Sequence, residues 1–176
     1  RAVVASLLRM PWTAKSHLRH AERWRFDQRM VAQARTTLGP GRCVVLRYED
    51  VVEDPAGARV VLAGLLRLDG GTPAGEPAAA PPEGRLIAEG EWWKEAALGP
   101  VDAARVEAWR EELTAAQAAD VVAICRREMG WFGYDGPTAT AAWARLARMS
   151  PRDRWRRARF RRRLARRAAE VPPVLP

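Results

Sequence analysis

Short apolar runs separated by polar and turn-forming residues organise this chain, and most of them repeat at helical spacing. Val3, Val4, Leu7 and Leu8 make one face of a first helix, which Pro11 ends or kinks. Trp12 to Leu38 carries a longer amphipathic pattern, with Leu18, Trp24, Met30, Val31 and Leu38 as burial candidates. Gly39-Pro40-Gly41 punctuates it. The run Cys43 to Leu46 breaks the period. It is short, apolar and rich in β-branched residues, which predicts a strand buried on both faces. It empties into an acidic loop, Arg47-Tyr48-Glu49-Asp50, in which Glu49 and Asp50 are suited to order the backbone by accepting its N–H bonds. Asp54 and Pro55 then suit the N-cap and first position of a helix, with Val61, Leu65 and Leu68 following at helical spacing.

Asp69-Gly70-Gly71 stops that helix, and Gly70 to Pro82 has the composition of a loop or linker. Arg85 to Lys94, with the pair Trp92-Trp93, fits neither period cleanly. Thr114 with Gln117 three residues on predicts a capping box. The helix it opens has Ala118, Val121, Val122, Cys125 and Met129 as its apolar face and ends at Gly130 to Tyr134. Gly136-Pro137 reads as a boundary, dividing residues 1–135 from a basic extension over 136–176. Thr140 to Met149 reads as one more helix, and Pro151 to Ala169 as an arginine-rich helix or tail.

Charge changes the picture once it is located. The chain has 176 residues and a formal charge of +9. Arg145 to Glu170 alone holds twelve arginines against Asp153 and Glu170, so the rest is close to neutral. A nucleic-acid-binding core would carry its basic patch within the fold, so specific nucleic-acid recognition is not expected. The extension interleaves Trp155, Phe160 and Leu164 among its arginines, a pattern suited to contact with an anionic membrane surface. No apolar run approaches the ~18 residues of a membrane span, and no leader sequence is visible. A cytoplasmic location, peripheral to the membrane, is the expectation. Two cysteines match neither a disulfide framework nor a metal motif. His17 and His20 are three residues apart, but no third ligand accompanies them.

Four segments in order carry a family resemblance: Arg1-Ala2-Val3-Val4-Ala5-Ser6; Leu46-Arg47-Tyr48-Glu49-Asp50-Val51-Val52 with Asp54-Pro55; Pro100-Val101 through Ala104-Arg105-Val106 to Trp109-Arg110 and Leu113; and Cys125 to Gly133-Tyr134. Together, over residues 1–135, they resemble the C-terminal part of the bacterial-type sulfotransferases that use 3′-phosphoadenylyl sulfate. The resemblance implies an α/β fold: the C-terminal portion of a P-loop-like parallel-sheet domain, mostly helical in this stretch, followed by the basic helix or tail.

It also implies a function. The full-length enzyme would move a sulfuryl group from 3′-phosphoadenylyl sulfate to a hydroxyl or amine of a small molecule or glycan, without a metal. By the same likeness Ser6 matches the serine that binds the donor's 3′-phosphate. Tyr48 falls where some members set a tyrosine against adenine. Arg105 and Arg110 lie in the segment that closes over the phosphate. Trp109 reads as a packing anchor, and Arg1 as a solvated arginine. Glu107 departs from the pattern, because the family often has glycine two residues before the tryptophan. The Gly-rich sulfate-binding loop and the catalytic base are expected upstream of residue 1. No catalytic residue is assigned within the chain, which alone is expected to be inactive. Two other readings stand beside this one: a different P-loop-like nucleotide-binding or phosphotransferase module, and a basic helical protein that binds membrane or nucleic acid.

Overall fold

The computed structural model describes residues 1–67, 102–134, 136 and 140–170. The predicted loop over 70–82, the Trp92-Trp93 pair, Leu68, Pro100, Val101 and Pro137 lie outside these residues. The described residues form two compact units. One comprises Arg1–Cys43 with Glu107–Pro176, the other Val44–Val106.

Within the first unit, α1 (Ala2–Arg9) stops where Met10 turns extended ahead of Pro11, as a residue before proline must. Its last carbonyls are taken up by cations and hydroxyls. Lys15 Nζ donates to Leu8 O at 2.7 Å and to Met10 O at 2.8 Å, and the Thr13 hydroxyl donates to Leu7 O. Ser16 then caps α2 (His17–Leu38), accepting from Arg19 N, and Gly39 ends it at φ 74°, where a side chain would be strained. The four-residue α5 (Trp109–Glu112) packs on α1, and Arg9 pairs with Glu112 at 3.0 Å. The expected capping box is present at the start of α6 (Ala115–Gly130), with both the Thr114 and Gln117 bonds made. The chain continues into α7 (Thr140–Ala147) and α8 (Pro151–Glu170).

Helices α2 and α6 are the central pair. α1 and α8 pack on α2, and α7 packs on α6. The core they enclose is built from Val4, Ala21, Val121, Val122, Ile124, Cys125, Met129, Ala142 and Leu146, with Leu18 and Trp24 packed against it. Burying a Val or Ile side chain stabilises by about 1.5–3 kcal/mol, so α6 contributes much of the unit's stability. Val3 and Met30, expected inside, are exposed. The α1 face that packs runs through Val4 and Leu8, as expected, and adds Ala5.

In the second unit the expected strand is absent. Cys43 and residues 44–47, which lead into this unit, are half-buried and belong to no helix or strand, and no strand occurs among the described residues. The fold is therefore all-helical, which overturns the expected parallel-sheet α/β domain. The physical reason is that β-branched composition specifies an extended backbone, whereas a strand also needs a neighbour to take its N–H and C=O groups. The acidic stretch expected as a loop is instead a helix, α3 (Tyr48–Glu53), with Glu49 and Asp50 in its first turn, where carboxylates favour the helix dipole. Asp54 and Pro55 start α4 (Pro55–Leu66) as expected, with Asp54 Oδ1 accepting from Gly57 N at 2.8 Å. Val60, Val61, Leu62 and Leu66 of α4 are exposed. α3 packs against α4 and against a 3₁₀ turn, Ala103–Val106.

Candidate functional site

Ser6 and Arg110 belong to the first unit, Tyr48 and Arg105 to the second. Each pair is described within its own unit.

Ser6 is half-buried on α1. At the start of that helix Arg1 stands in the N-cap position, with its guanidinium 4.2 Å from the centroid of the Trp109 ring. Arg110 approaches the same ring at 4.7 Å. One indole thus gathers two guanidinium groups, an arrangement favoured by the ring's quadrupole and opposed by the repulsion of like charges. Burial, and then the charge of Arg110, push the Arg1 pKa below its usual range, with Glu107 acting the other way. Arg1 is therefore not the solvated terminal arginine the sequence suggested, and Trp109 packs against cations. Glu107, the departure from the family pattern, bonds through Oε2 to Arg110 Nε. It supplies a counter-charge to that guanidinium.

Tyr48 opens α3 and is 49 % exposed. Arg47 Nε lies 3.6 Å from Asp50 and 3.9 Å from Glu49. Arg105 is on the 3₁₀ turn, exposed and 3.6 Å from Asp102. Because α3 packs on that turn, Tyr48 and Arg105 occupy neighbouring elements.

The histidines are structural. His17 Nε2 lies 3.1 Å from Asp120 Oδ2, and His20 Nε2 donates to Ala14 O at 2.6 Å. Burial holds the His20 pKa below the usual imidazole range, Arg19 and Lys15 add to this, and the Ala14 carbonyl opposes it. Cys125 is buried, its thiol donating to Ala21 O at 3.3 Å, and burial pushes its pKa up to about 12. It is an inert core thiol, not a nucleophile. Among the described residues no group of three or more His, Cys, Asp or Glu side chains is placed to hold a metal. No described helix is long and apolar enough to cross a membrane.

Sequence reasoning missed three buried carboxylates. Glu22 meets Arg157 Nε at 2.7 Å and Arg25 Nη2 at 2.6 Å. Glu128 meets Arg29 at 2.6 Å, and Asp120 meets Arg145 Nη2 at 2.7 Å. A signal existed: Asp120 and Glu128 fall on the apolar face of α6, Glu128 three residues after Cys125, and Glu22 sits four after Leu18. Carboxylates at core positions demand cationic partners.

Comparison with protein-family models, with curated proteins and with solved structures returns no match.

Proposed function

We propose that this chain is the donor-binding part of a sulfotransferase that takes 3′-phosphoadenylyl sulfate and passes its sulfuryl group to a hydroxyl or amine of a small molecule or glycan. The observation that carries the reading is the convergence of Arg1 and Arg110 on Trp109, at the start of the helix that holds Ser6. Ser6 is five residues from Arg1, about 7.5 Å along the helix axis. Two guanidinium groups drawn to one ring, that of Arg1 partly desolvated, suit an anion of more than one charge. A 3′-phosphate would relieve their repulsion and accept their forked donors. The order of the four sequence segments supports the same reading.

Roles then divide by chemistry. Ser6, Arg1 and Arg110 take the 3′-phosphate. In the second unit, taken by itself, Tyr48 offers an aromatic face and a phenol suited to a base, and Arg105 a positive charge. No residue here is assigned to activating the acceptor, so the part played by this chain is positioning and charge stabilisation, the larger share of such group transfers. A cytoplasmic setting, peripheral to the membrane, accompanies this reading.

Calorimetric titration with adenosine 3′,5′-bisphosphate tests it. Binding should weaken roughly tenfold in Arg110→Gln, the loss of one charge-assisted contact. Ser6→Ala should weaken it by a smaller factor. Absence of binding, or affinity unchanged in both variants, would overturn the proposal.

A further inference from the structure

Helix α8 turns its apolar stripe inward. Arg157, Phe160 and Leu164 follow one another at helical spacing on the side packed against α2. Leu164 is 4 % exposed, Arg157 is bonded to Glu22, and Phe160 lies under the Arg19 guanidinium at 4.8 Å. Phe160 and Leu164, two of the three apolar residues that composition suggested for membrane contact, are therefore already used within the fold. The opposite face presents Arg152, Trp155, Arg159, Arg162 and Arg166, all exposed, in alternating steps of three and four. That spacing sets them in one straight stripe about 21 Å long. The Arg159 guanidinium lies 5.3 Å from the Trp155 ring, which is itself 57 % exposed. Beside the stripe runs a groove of about 740 Å³, lined by Lys15, Arg19, Arg156, Phe160 and Arg163 among others. Its single acidic lining residue, Asp153, is held by the Ser150 hydroxyl at 2.7 Å.

We infer that this face of α8 docks the protein on an anionic phospholipid surface. The helix lies flat, with arginines against lipid phosphates, Trp155 at headgroup level and the groove open to a headgroup. Charge complementarity selects a polyanion, and the aromatic count selects among polyanions. A reader of single-stranded nucleic acid sets aromatic platforms at successive positions for stacking bases. The stripe has one aromatic among four arginines, and tryptophan is the residue that favours a membrane interface. A straight row on a convex helix also suits a plane better than a strand that must be gripped. The inference is independent of the sulfotransferase reading, because none of its residues belongs to the proposed donor site.

Sedimentation with vesicles decides it. The chain should bind phosphatidylcholine vesicles containing phosphatidylglycerol at low salt, bind less as salt rises, and ignore pure phosphatidylcholine. Each basic residue near such a surface is worth roughly fivefold in affinity, so replacing Arg152, Arg159, Arg162 and Arg166 by Gln should weaken binding by roughly 100-fold or more. A control with the same loss of charge elsewhere (Arg35, Arg42, Arg126 and Arg127 to Gln) should bind nearly as well as the parent. If the α8 variant fails to fold, quenching by brominated lipid still decides, read as the difference between the parent and Trp155→Phe. Failure to bind anionic vesicles, equal loss in the control, no quenching of Trp155, or displacement by a single-stranded oligonucleotide at equal phosphate would each overturn the inference.

Discussion

The Glu107 carboxylate is bonded to Arg110. An acid on that arginine competes with any phosphate the arginine would bind, and it repels the phosphate directly. Glu107→Ala should therefore tighten binding of adenosine 3′,5′-bisphosphate by roughly fivefold, within the range of one exposed ion pair. The same calorimetric titration reads it, and weaker binding would show that Glu107 orders the site instead of opposing the ligand. His20 gives a pH dependence of known sign. Its Nε2–H donates to Ala14 O, and burial, with Arg19 and Lys15 nearby, holds its folded pKa below the ordinary value of about 6.5. The unfolded chain then binds a proton that the folded chain refuses. The stability due to neutral His20 is complete above about pH 6.5 and is lost as pH falls from there toward the lowered folded value. Thermal melts over that window should fall more steeply for the parent than for His20→Gln. Parallel curves would mean that His20 titrates as it does in the open chain.

At the scale of elements, the parts of the structure that depend on neighbouring residues were legible. The Asp54-Pro55 helix start, the Thr114–Gln117 capping box and the Pro11 stop each follow from bonds made within a few positions, and each is present. The apolar face of α6 was equally plain, because Val121, Val122, Cys125 and Met129 repeat at the period of the helix that buries them. The stretch 43–46 was misread for the complementary reason. Its strand would have required a partner that no local signal specifies, and the structure places it in no strand. Tyr48-Glu49-Asp50 went the same way. Its acids were taken to order a loop, yet two carboxylates in a first turn also stabilise a helix start. The candidate site shows the same division. Ser6, Tyr48, Arg105 and Arg110 were singled out by the family resemblance and not by a local signal. That Arg1 and Arg110 share the Trp109 ring is a long-range fact, and nothing in the spacing of residues 1 and 109 encodes it.

For the first unit as a whole, the decisive feature is that its charge and its packing are coupled. Composition made the arginine-rich end look like an addition to a neutral domain, but Arg157 of α8 reaches the fully buried Glu22 of α2, and Leu164, two turns further along α8, is buried. Glu22 has no water to retreat to. Without Arg157 and Arg25 it would be an uncompensated charge in the interior, and without Glu22 the two arginines would lose their anion. Breaking such a pair from one side costs about 3–5 kcal/mol, whereas replacing both partners by apolar groups of similar volume costs far less. Urea unfolding should accordingly show a loss of about 3 kcal/mol for Glu22→Gln, and recovery of much of it when Arg157→Met and Glu22→Met are combined. Native-state hydrogen exchange gives the result its meaning. If α8 is part of the cooperative unit, its inner amides around Leu164 should exchange with the same opening free energy as those of α2 around Ala21, and Glu22→Gln should lower both together. Exchange of α8 at the rate of an independent helix, with α2 still protected, would return the arginines to the status of an appendage. The ion pair holds the inner face of α8 in place and thereby fixes which of its arginines point outward.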